Sequence, residues 1–366
     1  LAIPRSLRIR TLDGWRGVAI LMVLAEHALR PTILKFGVWA NLGALGVDIF
    51  FVVSGYIITL RLLQERERTD RIDLGRFYLR RAFRILPLVC TYLLTLCVLS
   101  IFVNLGDFHF SEVVGSLFFF RNYQFAANPA GIFTTHFWSL SIEEHFYLLW
   151  PALLLYLGNR RGLRLALTGA SFCGIWREYD STYPNGWIGR WLPGSETWIR
   201  QVRTDDRFDG LLLGCAVAIL LTNPRVSAFI HRNFPKETPL FAAILLLLNV
   251  QRTNGLSSFS SFALIALALA STLVVQEGLA HKWLNTRLLV WIGTISYSAY
   301  VWQQLFLTHP PRALSPLGRM GSLPLNLLCV LAVSAASFYL IERPSIDLGK
   351  RLLARRKERL TASSAA

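Results

Sequence analysis

Residues 42–60 read LGALGVDIFFVVSGYIITL, an unbroken apolar run in which Asp48 is the one ionisable side chain. About twenty such residues let an α-helix cross a hydrocarbon core of roughly 30 Å. The same texture recurs on both sides of it, at 15–33, 85–103, 137–157, 259–275, 289–307 and 322–341. Shorter or interrupted runs lie near 163–177, 208–221 and 239–250, and one ambiguous piece, 113–125, contains Leu117–Phe120 before it meets Arg121 and Asn122. The whole chain of 366 residues is 53% hydrophobic and 16% charged, whereas soluble domains carry about a quarter charged residues. A soluble globular protein and a disordered one are both excluded. The predicted fold class is an all-α polytopic membrane protein.

Lys and Arg total 38 against 22 Asp and Glu, a formal net charge of +16. The basic residues cluster between apolar runs, so they set orientation in a membrane rather than bind nucleic acid. If 113–125 is re-entrant or interfacial, about ten transmembrane helices remain, both termini are cytoplasmic, and most positive charge falls inside. If it spans, Arg160, Arg161 and Arg164 land outside. The basic segment 61–84 is then a cytoplasmic loop with a short helix. Residues 178–206, with Trp187, Trp191 and Trp198, form an outer aromatic cap whose rings suit either sugar faces or interfacial anchoring. The first run carries Asp13, Arg16, Glu26 and His27 and is no cleavable signal. Cys90, Cys97, Cys173, Cys215 and Cys329 show no CxxC or CxxH spacing, so neither a metal site nor a disulfide framework is expected.

Ionisable groups inside spans are costly and commonly functional. Arg16 and His27 lie close to three turns apart on one helical face, about 16 Å along the axis. A cation at the entrance and an imidazole deeper in suits a phosphorylated donor reaching inward; a snorkelling anchor and a structural histidine fit equally well. Ser139, Glu143 and Tyr147 repeat at i, i+4 as one polar stripe, with Glu144 on the next face. Glu143 and His27 reach similar depths from opposite sides, which predicts either an orienting carboxylate–imidazole pair or an interhelical ion pair. Asp48 enters near the outer end of its helix, with Ser54 and Gly55 at mid-membrane. Arg76, Arg80 and Arg84 share a stripe with Arg81 beside them; guanidinium forks suit phosphates, and topology alone also puts arginines there. Arg207 and Asp209 open the run at 208–221. No GxSxG, Walker loop, GxGxxG or HExxH is present, so a serine acyl-enzyme has no support.

At these residues the chain resembles the membrane-bound acyltransferase family 3, bacterial O-acetylases of polysaccharides and peptidoglycan. Leu12-Asp13-Gly14-Trp15-Arg16-Gly17 followed by His27 is similar to its opening motif. So are Phe50–Gly55 to its FFxxSG motif, Arg81–Pro87 to its RxxR stretch before a proline, and Trp138–Tyr147 to its WSLxxExxFY segment. Arg207–Gly214, Ser296–Tyr300 and Glu342-Arg343-Pro344 extend the likeness. One departure stands out: a histidine often follows the SYxxY pattern, and here Gln303 and Gln304 follow Trp302.

The resemblance implies transfer of an acyl group, usually acetyl, from acetyl-CoA or another cytoplasmic acyl-CoA to a hydroxyl of a carbohydrate or cell-envelope glycan, in the bacterial cytoplasmic membrane. It implies His27, as general base or transient acyl carrier, with Glu143 and Asp48 as catalytic residues and Arg16, Arg80, Arg81 and Arg84 as donor-binding residues, with no metal. Asp13, Ser54, Ser139, Glu144, Tyr147, Arg207, Asp209, Tyr297 and Gln303 are then substrate or structural support. Expected partners are membrane lipid, the carbohydrate acceptor and a separate extracellular or periplasmic transferase, with no nucleic acid. The expected division is a transmembrane acyltransferase domain at 1–344 and a basic cytoplasmic tail at 345–366, with no C-terminal extracellular hydrolase-like domain. Two alternatives stay open: a macrolide or small-glycoside O-acylase, and a lipid or solute flippase using His27 and Glu143 as a proton relay. The absence of a visible internal repeat weighs against the flippase.

Overall fold

The computed structural model describes residues 9–33, 41–102, 108–127, 131–183, 202–249, 255–307 and 323–365. Trp187, Trp191 and Trp198 of the expected aromatic cap lie outside the described residues. Every regular element among the described residues is helical. In chain order these are α1 (Arg10–Ile33), α2 (Leu42–Thr69), α3 (Leu74–Phe102), α4 (Phe110–Leu117), α5 (Arg121–Ala127), α6 (Phe137–Thr182), α7 (Thr204–Leu220) and α8 (Pro224–Asn233). They continue as α9 (Thr238–Asn249), α10 (Gly255–Val274), α11 (Gly278–Leu284), α12 (Arg287–Thr294), α13 (Ser296–Leu307), α14 (Leu325–Ser337), a π-helical turn (Phe338–Glu342) and α15 (Arg343–Ala365).

Among the described residues, α2, α3 and the stretch Leu325–Arg355 are long and apolar enough to cross a membrane, making three candidate spans. They become five if the bent pairs α7 with α8, at 104°, and Ser258–Val274 with α11, at 87°, each count as one span. Many large apolar side chains point away from the core, among them Leu94, Ile101, Phe102, Leu248 and Leu340. In water each would forfeit roughly 1.5–3 kcal/mol of burial; against lipid tails they lose nothing.

One local reading changes and two others gain detail. The separate short helix expected within 61–84 is absent: α2 runs on to Thr69, ends on Asp70 in the left-handed region (φ 56°), and α3 begins at Leu74. Leu62 and Leu63 are buried and carry the apolar face of α2 past the charged positions. The ambiguous piece 113–125 is divided between α4 and α5 by a turn at Phe118–Phe120, and each helix is too short to cross. The runs 137–157 and 163–177 are two arms of α6, broken at Gly158, whose φ of 70° and ψ of 176° favour a residue without Cβ.

Without a hydrophobic force between helices in lipid, close backbone approach and buried polar pairs hold a bundle together. The α2–α7 crossing shows both. A Cβ on Gly55 would stand 1.9 Å from the Leu211 carbonyl oxygen, and one on Gly214 would stand 2.0 Å from that of Val52. Beside this contact the Arg207 guanidinium of α7 reaches the Asp48 carboxylate of α2 at 3.1 Å.

Candidate functional site

A cavity of about 820 Å³ runs through the bundle between α1, α2, α3, α6, α12, α13 and α15. Its lining on α2 extends from Val47 to Gln64, about 26 Å of helix at 1.5 Å per residue. One end is basic, with Arg61, Arg84, Arg287, Arg343 and Lys350 contributing to the wall. The other end is closed by Val47, Phe50, Phe51, Ser139, Leu140 and Tyr300. Between them sit Asp13, Arg16, Ser54, Arg81, Glu143, Glu144, Tyr147, Tyr297 and Glu342.

Glu143 is the centre of this middle zone. One carboxylate oxygen accepts from Ser54 Oγ at 3.0 Å and the other from the Tyr147 hydroxyl at 3.0 Å. The stripe Ser139–Glu143–Tyr147 therefore does face the site, and Tyr147 reaches back one turn to its own neighbour at i−4. The Arg81 guanidinium carbon lies over the Tyr147 ring, 3.6 Å from its centroid, and its Nη2 is 3.3 Å from Glu144 Oε1. A stacked guanidinium with a carboxylate partner is rigidly oriented, as a lysine ammonium would not be. Glu144 thus belongs to the site although it shares a helical face with Leu140 and Leu148. Arg16, Arg84 and Glu342 bring further charge to the same walls, and Glu342 accepts from Ser298 Oγ at 2.9 Å. The Tyr297 hydroxyl donates to the Ile85 carbonyl at 3.0 Å, tying α13 to α3.

Several expected placements differ. The carboxylate–imidazole pair does not form as a hydrogen bond: Glu143 is occupied by the two hydroxyls, while His27 Nδ1 bonds the Val23 carbonyl at 2.9 Å. Arg16 lines the cavity and His27, three turns further along α1, does not. Asp48 is also off the cavity wall; it is spent on Arg207, whose guanidinium also sits 5.5 Å from the Trp138 ring centroid. Asp209 pairs with buried Arg177 of the second arm of α6, so both acids of this region hold helices together. Arg80 turns outward to Glu65 at 2.9 Å, leaving Arg81 and Arg84 as the arginines that α3 gives the cavity. Gln303 is fully buried, and neither polar atom of its amide finds a partner among the described residues.

Two further residues of the wall stand at the ends of apolar runs. Arg61 stands immediately after the run at 42–60, and Glu342 immediately after the run at 322–341. The π-helical turn at Phe338–Glu342 lengthens that last run by one residue per turn, and Phe338, Tyr339 and Glu342 all line the cavity. No periodicity announces it, although such turns recur at functional sites. Arg343, Ile346, Asp347 and Lys350 of α15 line the cavity as well. Among the described residues, no group of three or more His, Cys, Asp or Glu is placed to hold a metal ion.

The chain is thus an apolar helical bundle of membrane type, built around a deep cavity with a cationic end and a hydroxyl-cradled carboxylate. It belongs to the acyltransferase family whose model, described as an acyltransferase domain, matches residues 9–343. Similar proteins include the peptidoglycan O-acetyltransferase OatA of Listeria monocytogenes, 28% identical over 359 residues that cover 92% of this chain and 55% of that one. The putative peptidoglycan O-acetyltransferase YrhL of Bacillus subtilis is 29% identical over 380 residues, covering 94% and 56%. A putative O-acetyltransferase of Staphylococcus aureus is 28% identical over 315 residues, covering 80% and 49%. The chain spans about half the length of these curated relatives. No solved structure matches it.

Proposed function

We propose that this chain is an integral membrane O-acyltransferase that takes an acetyl group from cytoplasmic acetyl-CoA and delivers it to a hydroxyl of a cell-envelope glycan. The observation that carries the reading is the cavity: cationic at one end, and leading between helices to the Glu143 cradle. Coenzyme A is a phosphorylated head on a slender arm, and an arginine-rich mouth with a narrow interior fits that shape and charge. Two of the relatives are named for peptidoglycan O-acetylation, which supports a glycan hydroxyl as acceptor.

In this reading the bundle crosses a bacterial cytoplasmic membrane about ten times, with both termini and the cavity's basic end on the cytoplasmic side. Arg61, Arg84, Arg287 and Lys350 hold the donor's phosphates, while Arg16 and Arg81 guide the arm. The acceptor oxygen attacks the thioester carbonyl carbon; the new C–O bond forms as the C–S bond breaks. The hydroxyl proton passes to a base on the acceptor's side, for which His27, three turns of α1 beyond Arg16 and outside the cavity wall, is the candidate, and ends on the departing sulfur as the thiol of coenzyme A. Glu143, between Arg16 and Arg81, offsets the positive charge that gathers along this path.

The test is thiol release from acetyl-CoA by the purified chain in nanodiscs, with a membrane glycan extract present. Wild type should release thiol, and Glu143→Gln and His27→Ala should each lose most of it. Equal release from all three would sink the assignment of those residues; no release from wild type with any acyl donor would sink the reading.

A further inference from the structure

The closed end of the cavity is sharply built. Its lining stops at Arg16 on α1, Val47 on α2, Ser139 on α6 and Tyr300 on α13. Immediately beyond, Ala19, Ile20, Phe137 and Val301 are fully buried. A Cβ on Gly46 would stand 2.6 Å from the Ala19 carbonyl oxygen, so α1 and α2 touch backbone to backbone just past the end. Side chains with no solvent exposure back this end, and the cavity lining does not continue past them.

One side chain spans this end and is held from three sides. The Tyr300 hydroxyl donates to the His136 carbonyl at 3.1 Å, and Ser139 Oγ lies 2.5 Å from the same hydroxyl. Ser139 Oγ also reaches the His136 carbonyl, at 3.3 Å, so the two hydroxyls share that oxygen and either one can donate to the other. The Phe50 ring stands edge-on to Tyr300 with centroids 6.1 Å apart. A buried aromatic fixed by two hydrogen bonds and a neighbouring ring keeps one orientation.

We propose that Tyr300, pinned by Ser139, is a specificity-determining residue that ends the donor cavity and restricts the acyl group to short chains. The proposal rests on the acyl-CoA reading above. The acyl group is the leading end of a donor whose phosphates stay at the basic mouth. An acetyl group brings its carbonyl carbon next to its last carbon, hence up against the end wall. Each added methylene must either press into Tyr300 or hold the thioester carbonyl back toward the mouth, away from the position the acetyl carbonyl takes beside the end wall. A single methylene against a packed wall is discriminated by roughly 10–200-fold.

The experiment compares thiol release from acetyl-, butyryl- and hexanoyl-CoA by wild type, Tyr300→Ala, Tyr300→Phe, Phe50→Ala and Ser139→Ala in nanodiscs. Wild type should favour acetyl over butyryl by at least tenfold. Tyr300→Ala should raise the butyryl-to-acetyl ratio by tenfold or more, whereas Tyr300→Phe, which keeps the ring and loses its two bonds, should raise it a few-fold. If Tyr300→Ala does not yield folded protein by size exclusion, Phe50→Ala and Ser139→Ala decide, since both loosen the same ring. Thiol release that is equal for acetyl and hexanoyl in wild type, or ratios within twofold of wild type in all folded variants, overturns the end-wall role and leaves the acyltransferase reading standing. Release from no donor by any protein, wild type included, overturns both.

Discussion

Ser54 on α2 donates its hydroxyl to Glu143 on α6 across 3.0 Å, and that bond joins the two helices at the middle of the cavity. Tyr147 fills the other carboxylate oxygen at the same distance. The carboxylate is therefore fixed by neutral donors, with Arg81 over the Tyr147 ring and paired with Glu144. A carboxylate held this way keeps its charge directed into the cavity, where a passing cationic or protonated group meets it.

Replacing Glu143 by Gln keeps the shape but removes the charge and forces one of the two hydroxyls to turn from donor to acceptor. Thiol release from acetyl-CoA should fall by roughly 10²–10⁴-fold, the range of a positioned proton-handling or charge-stabilising group. Ser54→Ala removes one hydrogen bond to a charged acceptor, worth about 1.5–3 kcal/mol, and should cost roughly ten- to a hundredfold. Unchanged turnover in folded Glu143→Gln would remove Glu143 from the chemistry.

Arg81 offers a planar face to Tyr147 and an N–H to Glu144. Arg81→Lys keeps the positive charge and loses the stacking and fork geometry. The expected result is a KM for acetyl-CoA raised about tenfold with a smaller change in kcat, since a stacked donor contact of this kind is worth about 1–2 kcal/mol. Steady-state kinetics over a donor series read this split. A kcat loss with unchanged KM would place Arg81 in the chemical step instead.

Asp48 and Arg207 form a buried ion pair off the cavity wall. Removing one partner leaves an uncompensated buried charge, a loss of about 3–5 kcal/mol. Asp48→Asn and Arg207→Met should each lower the melting temperature in detergent, and the double variant should recover most of the loss. It should also recover turnover per folded molecule. A double variant that is stable yet inactive would return Asp48 to the catalytic set.

Gly55→Ala and Gly214→Ala each put a methyl within about 2 Å of a carbonyl oxygen across the α2–α7 crossing. Because the obstacle is backbone, the helices must separate, and the Asp48–Arg207 bond goes with them. Both variants should lower the melting temperature, and Ala at the exposed helical position Leu94 should not. Wild-type melting in both glycine variants would show that the crossing is looser than these contacts.

The Phe50–Gly55 and Trp138–Tyr147 segments were legible as site-bearing because ionisable and hydroxyl residues are costly in apolar runs and here recur at helical spacing. That spacing correctly put Ser139, Glu143 and Tyr147 on one face of α6. It could not choose a partner for Glu143, because Ser54 and His27 lie on other helices; in the bundle Ser54 is level with Glu143, while the His27 end of α1 packs at Gly43, about three turns away along α2. Glu144 shows the same limit in reverse: its own helix face reads apolar, and only Arg81 arriving from α3 makes it part of the site.

Composition and the length of the apolar runs by themselves determined an all-helical chain of membrane type, since burying backbone polar groups in lipid leaves a helix as the local solution. The ordered motifs determined the acyltransferase family. The tertiary structure alone decided which charges face the cavity and which ones clamp helices. It sent Asp48 to Arg207 and Arg80 to Glu65, brought Glu342 inward through the π-helical turn, and closed the cavity on Tyr300. Those choices depend on the rotation and depth of each helix against its neighbours, which side-chain packing across chain-distant segments fixes and which no periodicity within a single helix encodes.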